Sequence, residues 1–253
     1  MIERTDLPAA LSDFGSAAAP AMLIAVYLVL AEPFVGLVLH RRFEAAERRF
    51  ADARRWLYRR LLLLEWVLAA LCIATIAIAT QVELGDIGLR LPAGALAISV
   101  TLLAVLAAAV LLMLTARMVI RSNGDTDLPA GAPSVLAMLP RTDVERRLFG
   151  LVSVTAGICE ELIFRGFLIA VTAAIAPAAP VWVCVLTAAV VFGLAHAYQG
   201  AVGVTSSLLI GVVLGALYVV TGSLLAPILV HACVDLRAIP LGRMVREGRV
   251  RTA

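Results

Sequence analysis

Apolar residues along this chain run in blocks that are long enough to cross about 30 Å of hydrocarbon as helices. The blocks cover about residues 20–39, 61–80, 93–120, 148–172, 181–198, 201–221 and 223–240. The chain is 62% hydrophobic and only 15% charged, with a mean hydropathy of +0.99, which is far from an average soluble domain. The pattern predicts an all-α fold, a polytopic transmembrane helical bundle of about seven spans.

The charges between the blocks predict how these spans are oriented. All 21 basic residues are arginine; eight lie in residues 41–60, five in 117–147 and five in 237–251. Because cytoplasmic flanks of membrane helices collect positive charge, these three segments are expected in the cytoplasm and the N-terminus outside. Glu44 and Glu47 alternate with the arginines of 41–60, which favours a helix resting on lipid headgroups over a nucleic-acid site. The expected partner is therefore the lipid bilayer, with no nucleic acid.

Composition divides the chain into two halves. Residues 1–121 are predicted to form N-terminal transmembrane helices that include the arginine-rich cytoplasmic segment 41–60. A cytoplasmic linker rich in proline and glycine follows at 122–145. Residues 146–240 are predicted to form a compact four-helix core that holds the catalytic groups, and 241–253 form a basic cytoplasmic tail.

The candidate chemistry lies inside the apolar blocks of the second half. Two adjacent acids, Glu160 and Glu161, are followed by Arg165, although an ionisable side chain at the bilayer centre costs about 2.5–3.5 kcal/mol even on the lenient insertion scale. On a helix Glu161 and Arg165 are i, i+4 neighbours and are expected to form an ion pair. Glu160 then remains free, and an unpaired carboxylate in an apolar setting suits a general base near neutral pH.

Two of the three histidines belong to the same half of the chain. His196 follows Phe192 by one helical turn, and His231 and Asp235 share one helix face, so that the carboxylate of Asp235 is expected to orient the imidazole of His231. A single buried histidine is ordinarily a structural residue, and many buried Glu–Arg pairs are structural as well. The occurrence of all three groups in successive helices favours a site in which they converge on one cavity.

Taken in order, Glu160-Glu161-x-x-x-Arg165, Phe192-x-x-x-His196 and His231-x-x-x-Asp235 resemble the motif set of the CAAX protease and bacteriocin-processing (CPBP, or Abi) family of intramembrane proteases. The resemblance covers about residues 145–240. It implies an endopeptidase that acts on a membrane-associated peptide or protein, in which Glu160 and His196 activate water while His231 and Asp235 face the developing oxyanion. It also implies an integral membrane protein, here expected in a bacterial plasma membrane with its C-terminus in the cytoplasm.

Other mechanisms and functions fit part of this pattern. Zn²⁺ bound by Glu160, His196 and His231 would make the enzyme a metalloprotease, but no H-E-x-x-H motif is present and the glutamate mechanism needs no cofactor. Buried charges also occur in non-catalytic membrane scaffolds and in proton-coupled transporters. A transporter more often has repeated halves with interrupted helices, and no such repeat is visible. The favoured prediction is a metal-free intramembrane endopeptidase.

Overall fold

The computed structural model describes residues 1–121 and 133–246. Most of the predicted linker, 122–132, and the end of the predicted tail, 247–253, lie outside the described residues. In the described part the chain is helical, without a strand. The α-helices are α1 (Ala18–Val26), α2 (Glu32–Glu47), α3 (Ala53–Ala77), α4 (Ala95–Arg121), α5 (Pro133–Met138), α6 (Asp143–Glu160), α7 (Ile169–Ile175), α8 (Val181–Ala195), α9 (Gly200–Thr221), α10 (Leu225–Leu236) and α11 (Ala238–Arg246).

Each apolar block of the sequence corresponds to a helical segment. Five segments of the described chain are long and apolar enough to cross a membrane, and α8 is a shorter apolar helix. The prediction of an all-α polytopic bundle is confirmed. Leucine and valine side chains on α1, α3 and α4 are exposed on the outside of the bundle, as expected for helices that face lipid.

Two of the long helices are widened by π-helical turns. Tyr27–Ala31 joins α1 to α2, and Glu161–Leu168 joins α6 to α7. All eight residues of the second π segment are buried, because it contacts α3, α8 and α9. The helix that holds Glu160, Glu161 and Arg165 therefore runs through the centre of the bundle. Such π turns within α-helices are frequent at functional sites.

The connection between α3 and α4 fixes the start of α10. The backbone N–H of Leu224 donates to the carbonyl of Gly88 (2.9 Å), and the Arg90 side chain donates to the carbonyl of Gly222 (2.8 Å). Gly222 ends α9 with a φ of 65°, a left-handed conformation that favours glycine. These contacts tie the N-terminal half to the helix that holds His231.

Close helix packing sets the distance between α6 and α10. A Cβ atom at Gly157 would lie 2.9 Å from the carbonyl oxygen of Ile228 and 3.1 Å from the Cβ of Ala232. The Ile228 oxygen is a backbone atom and the Ala232 carbon is a Cβ, so neither can move away by rotation of a side chain. Gly157 therefore lets α10 approach α6 one turn before the two acids.

We predict that Gly157→Ala lowers the thermal stability of the purified protein, because the added methyl group must push α10 away from α6. Overpacking of this kind costs about 1–3 kcal/mol. The measurement is the unfolding midpoint in detergent. Gly85→Ala is the matched control, since no atom lies within 4 Å of a Cβ at Gly85. Equal midpoints for Gly157→Ala and the wild type would contradict the packing described above.

Candidate active site

The helix of the two acids begins at a well-defined cap. The hydroxyl of Thr142 accepts from the backbone N–H of Glu145 (3.2 Å), and the Glu145 carboxylate accepts from the backbone N–H of Thr142 (2.9 Å). This reciprocal pairing is a capping box, which satisfies two N–H groups that a helix start otherwise leaves open. It fixes the first turn of α6, about four turns before Glu160.

Glu161 is the most enclosed charged group of the site. Its Oε1 accepts from the Arg165 guanidinium at 2.7 Å and from Nδ1 of His231 at 2.6 Å. The Glu161 side chain is 0% exposed, Arg165 2% and His231 6%. The predicted i, i+4 ion pair between Glu161 and Arg165 is present. The contact with His231 joins residues 70 positions apart and was not foreseen.

The orientation of His231 differs from the one expected. Asp235 Oδ2 lies 3.8 Å from Nε2 of His231, which is too long for a hydrogen bond. Glu161, on the neighbouring helix segment, instead holds Nδ1. Because a carboxylate only accepts, Nδ1 carries a proton, and Nε2 is directed to the side where Glu160 Oε2 lies at 3.7 Å. Asp235 is a second carboxylate beside Nε2.

Phe192 connects the two histidines. The ring of Phe192 lies 4.7 Å from that of His196 and 5.9 Å from that of His231, between ring centroids. The guanidinium carbon of Arg165 lies 4.3 Å from the centroid of Phe192, a cation–π contact. The Phe192 ring therefore contacts a residue from each of the three motifs: His196, His231 and Arg165.

His196 is held by the end of its own helix. Its Nδ1 lies 2.8 Å from the carbonyl oxygen of Phe192, and a carbonyl oxygen only accepts, so Nδ1 is the donor. In the neutral imidazole, Nε2 is then unprotonated and can accept a proton or a hydrogen bond. The hydrogen bond to the backbone thus fixes the tautomer of His196.

A cavity of about 440 Å³ adjoins these groups. Glu160, whose side chain is 19% exposed, and His196 are in its wall, whereas Glu161 is excluded from it. Among the described residues, neither His231 nor Asp235 is part of the lining. Of the site residues predicted from the sequence, Glu160 and His196 therefore face the cavity, and Nε2 of His231 lies beside Glu160.

The N-terminal half forms much of the same cavity, although its sequence has no motif that predicts this. Glu32 of α2 and Glu65 of α3 line it together with Tyr27 and leucines of α1 and α3. The sequence feature that could have indicated Glu32 and Glu65 is their position within apolar blocks, where a carboxylate is energetically costly.

In the described ranges, no three His, Cys, Asp or Glu side chains are placed as one ligand group. We therefore derive no step through a metal ion.

Comparison with known proteins identifies the second half. Residues 145–237 match the family model described as type II CAAX prenyl endopeptidase Rce1-like. Searches of curated proteins and of solved structures gave no match. The matched residues include all six predicted site residues, and the family is one of intramembrane proteases, as the motifs predict. Residues 145–237 are therefore similar to the Rce1-like family of type II CAAX prenyl endopeptidases.

Proposed function

We propose that this protein is a metal-free intramembrane endopeptidase that hydrolyses a peptide bond in a membrane-associated peptide or protein. The observation that supports this best is the division of labour between the two adjacent acids. Glu161 is buried in contacts with Arg165 and His231, whereas Glu160 lines a cavity with His196. A carboxylate and an imidazole facing one cavity form the pair that water activation requires.

In the proposed reaction a water molecule lies between Glu160 and His196. Glu160 takes one proton of the water, and the water oxygen attacks the carbonyl carbon of the scissile peptide. Nε2 of His196 accepts a hydrogen bond from the second proton, since Nδ1 is already engaged with the Phe192 carbonyl. The C–N bond then breaks, and the proton held by Glu160 passes to the leaving amine.

His231 is proposed to stabilise the oxyanion that forms during the attack. When its ring carries both protons, Nε2–H is a donor on the side of Glu160, and Glu161 fixes the ring through Nδ1. An oxyanion donor held in place before the reaction lowers the barrier without reorganisation. Asp235, 3.8 Å from Nε2, is proposed to support the doubly protonated ring by its charge.

The proposed setting is a bacterial plasma membrane, with the N-terminus outside and the C-terminus in the cytoplasm. The structure of the arginine-rich segment supports a place at the lipid headgroups. Trp56 lies beside Arg55, Arg59 and Arg60, and the guanidinium carbon of Arg60 is 5.6 Å from the centroid of the Trp56 ring. Tryptophan and arginine together are typical of membrane interfaces.

We predict that Glu160→Gln abolishes cleavage and leaves the protein folded, whereas Glu161→Gln destabilises it. The first change removes a proton acceptor at a cavity wall. The second weakens the acceptor of both Arg165 and His231, and breaking a buried pair costs about 3–5 kcal/mol. The measurements are peptide cleavage and the unfolding midpoint in detergent. The two variants are matched controls for each other, since they make the same chemical change one residue apart.

Equal loss of stability in both variants would mean that Glu160 is also a structural residue, and its catalytic assignment would be wrong. Arg165→Ala is a further check on the buried pair. It should resemble Glu161→Gln, because it leaves the Glu161 carboxylate with only His231 as a partner.

The mechanism predicts that exhaustive removal of metal from the purified protein leaves activity unchanged. His196→Ala and His231→Ala should each lower turnover by about 10²-fold or more, the scale of losing a base partner or an oxyanion donor. Asp235→Asn should be the mildest of these changes. The assay is cleavage of quenched fluorescent peptides by protein reconstituted in nanodiscs. Stoichiometric Zn²⁺ whose removal abolishes activity and whose return restores it would contradict the mechanism.

A further inference from the structure

The cavity contains more acid than the proposed hydrolysis uses. Glu32, Glu65 and Glu160 all line it, and they come from three different helices. No arginine of the described residues lines it, and His196 is the one side chain there that can become positive. Outside the lining, Arg165 is engaged by Glu161 and Phe192, and His231 is held by Glu161 beside Glu160. The cavity is therefore an apolar space with an excess of negative groups.

Glu65 has no internal partner that explains its position. Its side chain is half-buried, but its Oε2 atom is shielded from solvent and accepts no hydrogen bond from the described residues. A buried polar atom without a partner is costly, and native structures rarely keep one without a reason. The open direction for Glu65 is the cavity that it lines. A ligand that enters this cavity is the partner that the structure leaves room for.

Glu32, at the start of α2, lines the same cavity as Glu65. The hydroxyl of Tyr27 lies against its carboxylate, and Tyr27 opens the π-helical segment Tyr27–Ala31, which ends immediately before Glu32. The two π segments of the described chain thus each adjoin an acid of the cavity: one precedes Glu32 and the other follows Glu160. Because a π turn rotates the helix beyond it, it re-aims the side chains that follow.

The walls indicate the shape of the missing partner. Leu64, Leu68 and Leu71 of α3 line the same cavity as Glu65 and give its wall aliphatic surface. An arginine or lysine side chain has the complementary form, an aliphatic stem that packs on apolar surface and a cationic head that needs an acceptor. A free metal cation would find no matching ligand group among the described residues.

We propose that Glu32 and Glu65 form a specificity site that binds the cationic head of an arginine or lysine side chain in the substrate. The proposal rests on the proposed function, in that it places this side chain next to the peptide bond that Glu160 attacks. It assigns the N-terminal helices a role in selecting substrates, whereas the matched residues 145–237 perform the hydrolysis.

Binding can be tested separately from cleavage. The full-length Glu160→Gln protein, in nanodiscs of neutral phosphatidylcholine, is titrated with fluorescein-labelled leucine-rich peptides that differ in one residue. The test residue is arginine or citrulline, which has nearly the same shape without the charge, and it is moved through each position of the peptide. We expect arginine to bind about tenfold or more tightly than citrulline in at least one position, the scale of a hydrogen bond to a charged group.

Adding Glu65→Gln or Glu32→Gln to this protein should remove most of the preference for arginine. Adding Glu83→Gln is the matched control with the same change in net charge: Glu83 is exposed outside the cavity, and the preference should persist. If one of the two cavity variants fails to fold, the other still decides the result.

Equal affinities for the arginine and citrulline peptides at every position would overturn the proposal, as would tighter binding of citrulline, which would indicate acids that share a proton. A preference that survives both Glu65→Gln and Glu32→Gln would also overturn it. Because the peptides are not cleaved in this experiment, its result does not depend on whether the protein is a protease.

Discussion

The structure depends on the burial of one carboxylate, that of Glu161, inside an apolar helical bundle. A charge in this position is tolerated only where opposite charges and hydrogen-bond donors surround it. Arg165 and His231 supply these donors at 2.7 and 2.6 Å, from the same helix and from α10. The hydrogen bond between Glu161 and His231 therefore constrains how α10 is rotated toward the helix segment that holds the two acids.

The functional geometry follows from this constraint. Once Nδ1 of His231 is committed to Glu161, its Nε2 must face Glu160, and Glu160 is left with no strong internal partner. Phe192 then packs against Arg165 and brings His196 to the same region from α8. Two acids that are adjacent in sequence acquire opposite characters, one enclosed and structural, the other on a cavity wall.

Much of this was predictable from the sequence, for identifiable reasons. The apolar blocks located the helices, because length and hydropathy decide what spans a bilayer. The spacing of Glu161 and Arg165 located their ion pair, because i, i+4 neighbours meet on any helix. The order of the three motifs indicated the protease family, which the match over residues 145–237 confirms.

Other features could not be predicted, because they depend on tertiary structure. The contact of Glu161 with His231 joins residues far apart in the chain, and it depends on how two helices rotate against each other. Helical periodicity alone suggested Asp235 as the partner instead. The π segments do not follow from a 3.6-residue period, and the entry of Glu32 and Glu65 into the cavity requires the packing of α2 and α3 against the second half.

The central claim is that the Glu160 carboxylate is catalytic whereas the neighbouring Glu161 carboxylate is structural. Its most direct test is a comparison of membrane peptidomes. Cells that express the wild-type protein are compared with cells that express Glu160→Gln at a matched protein level. A defined set of short membrane-derived peptides should disappear in the variant while their intact precursors accumulate. Identical peptidomes from wild type and variant would contradict it.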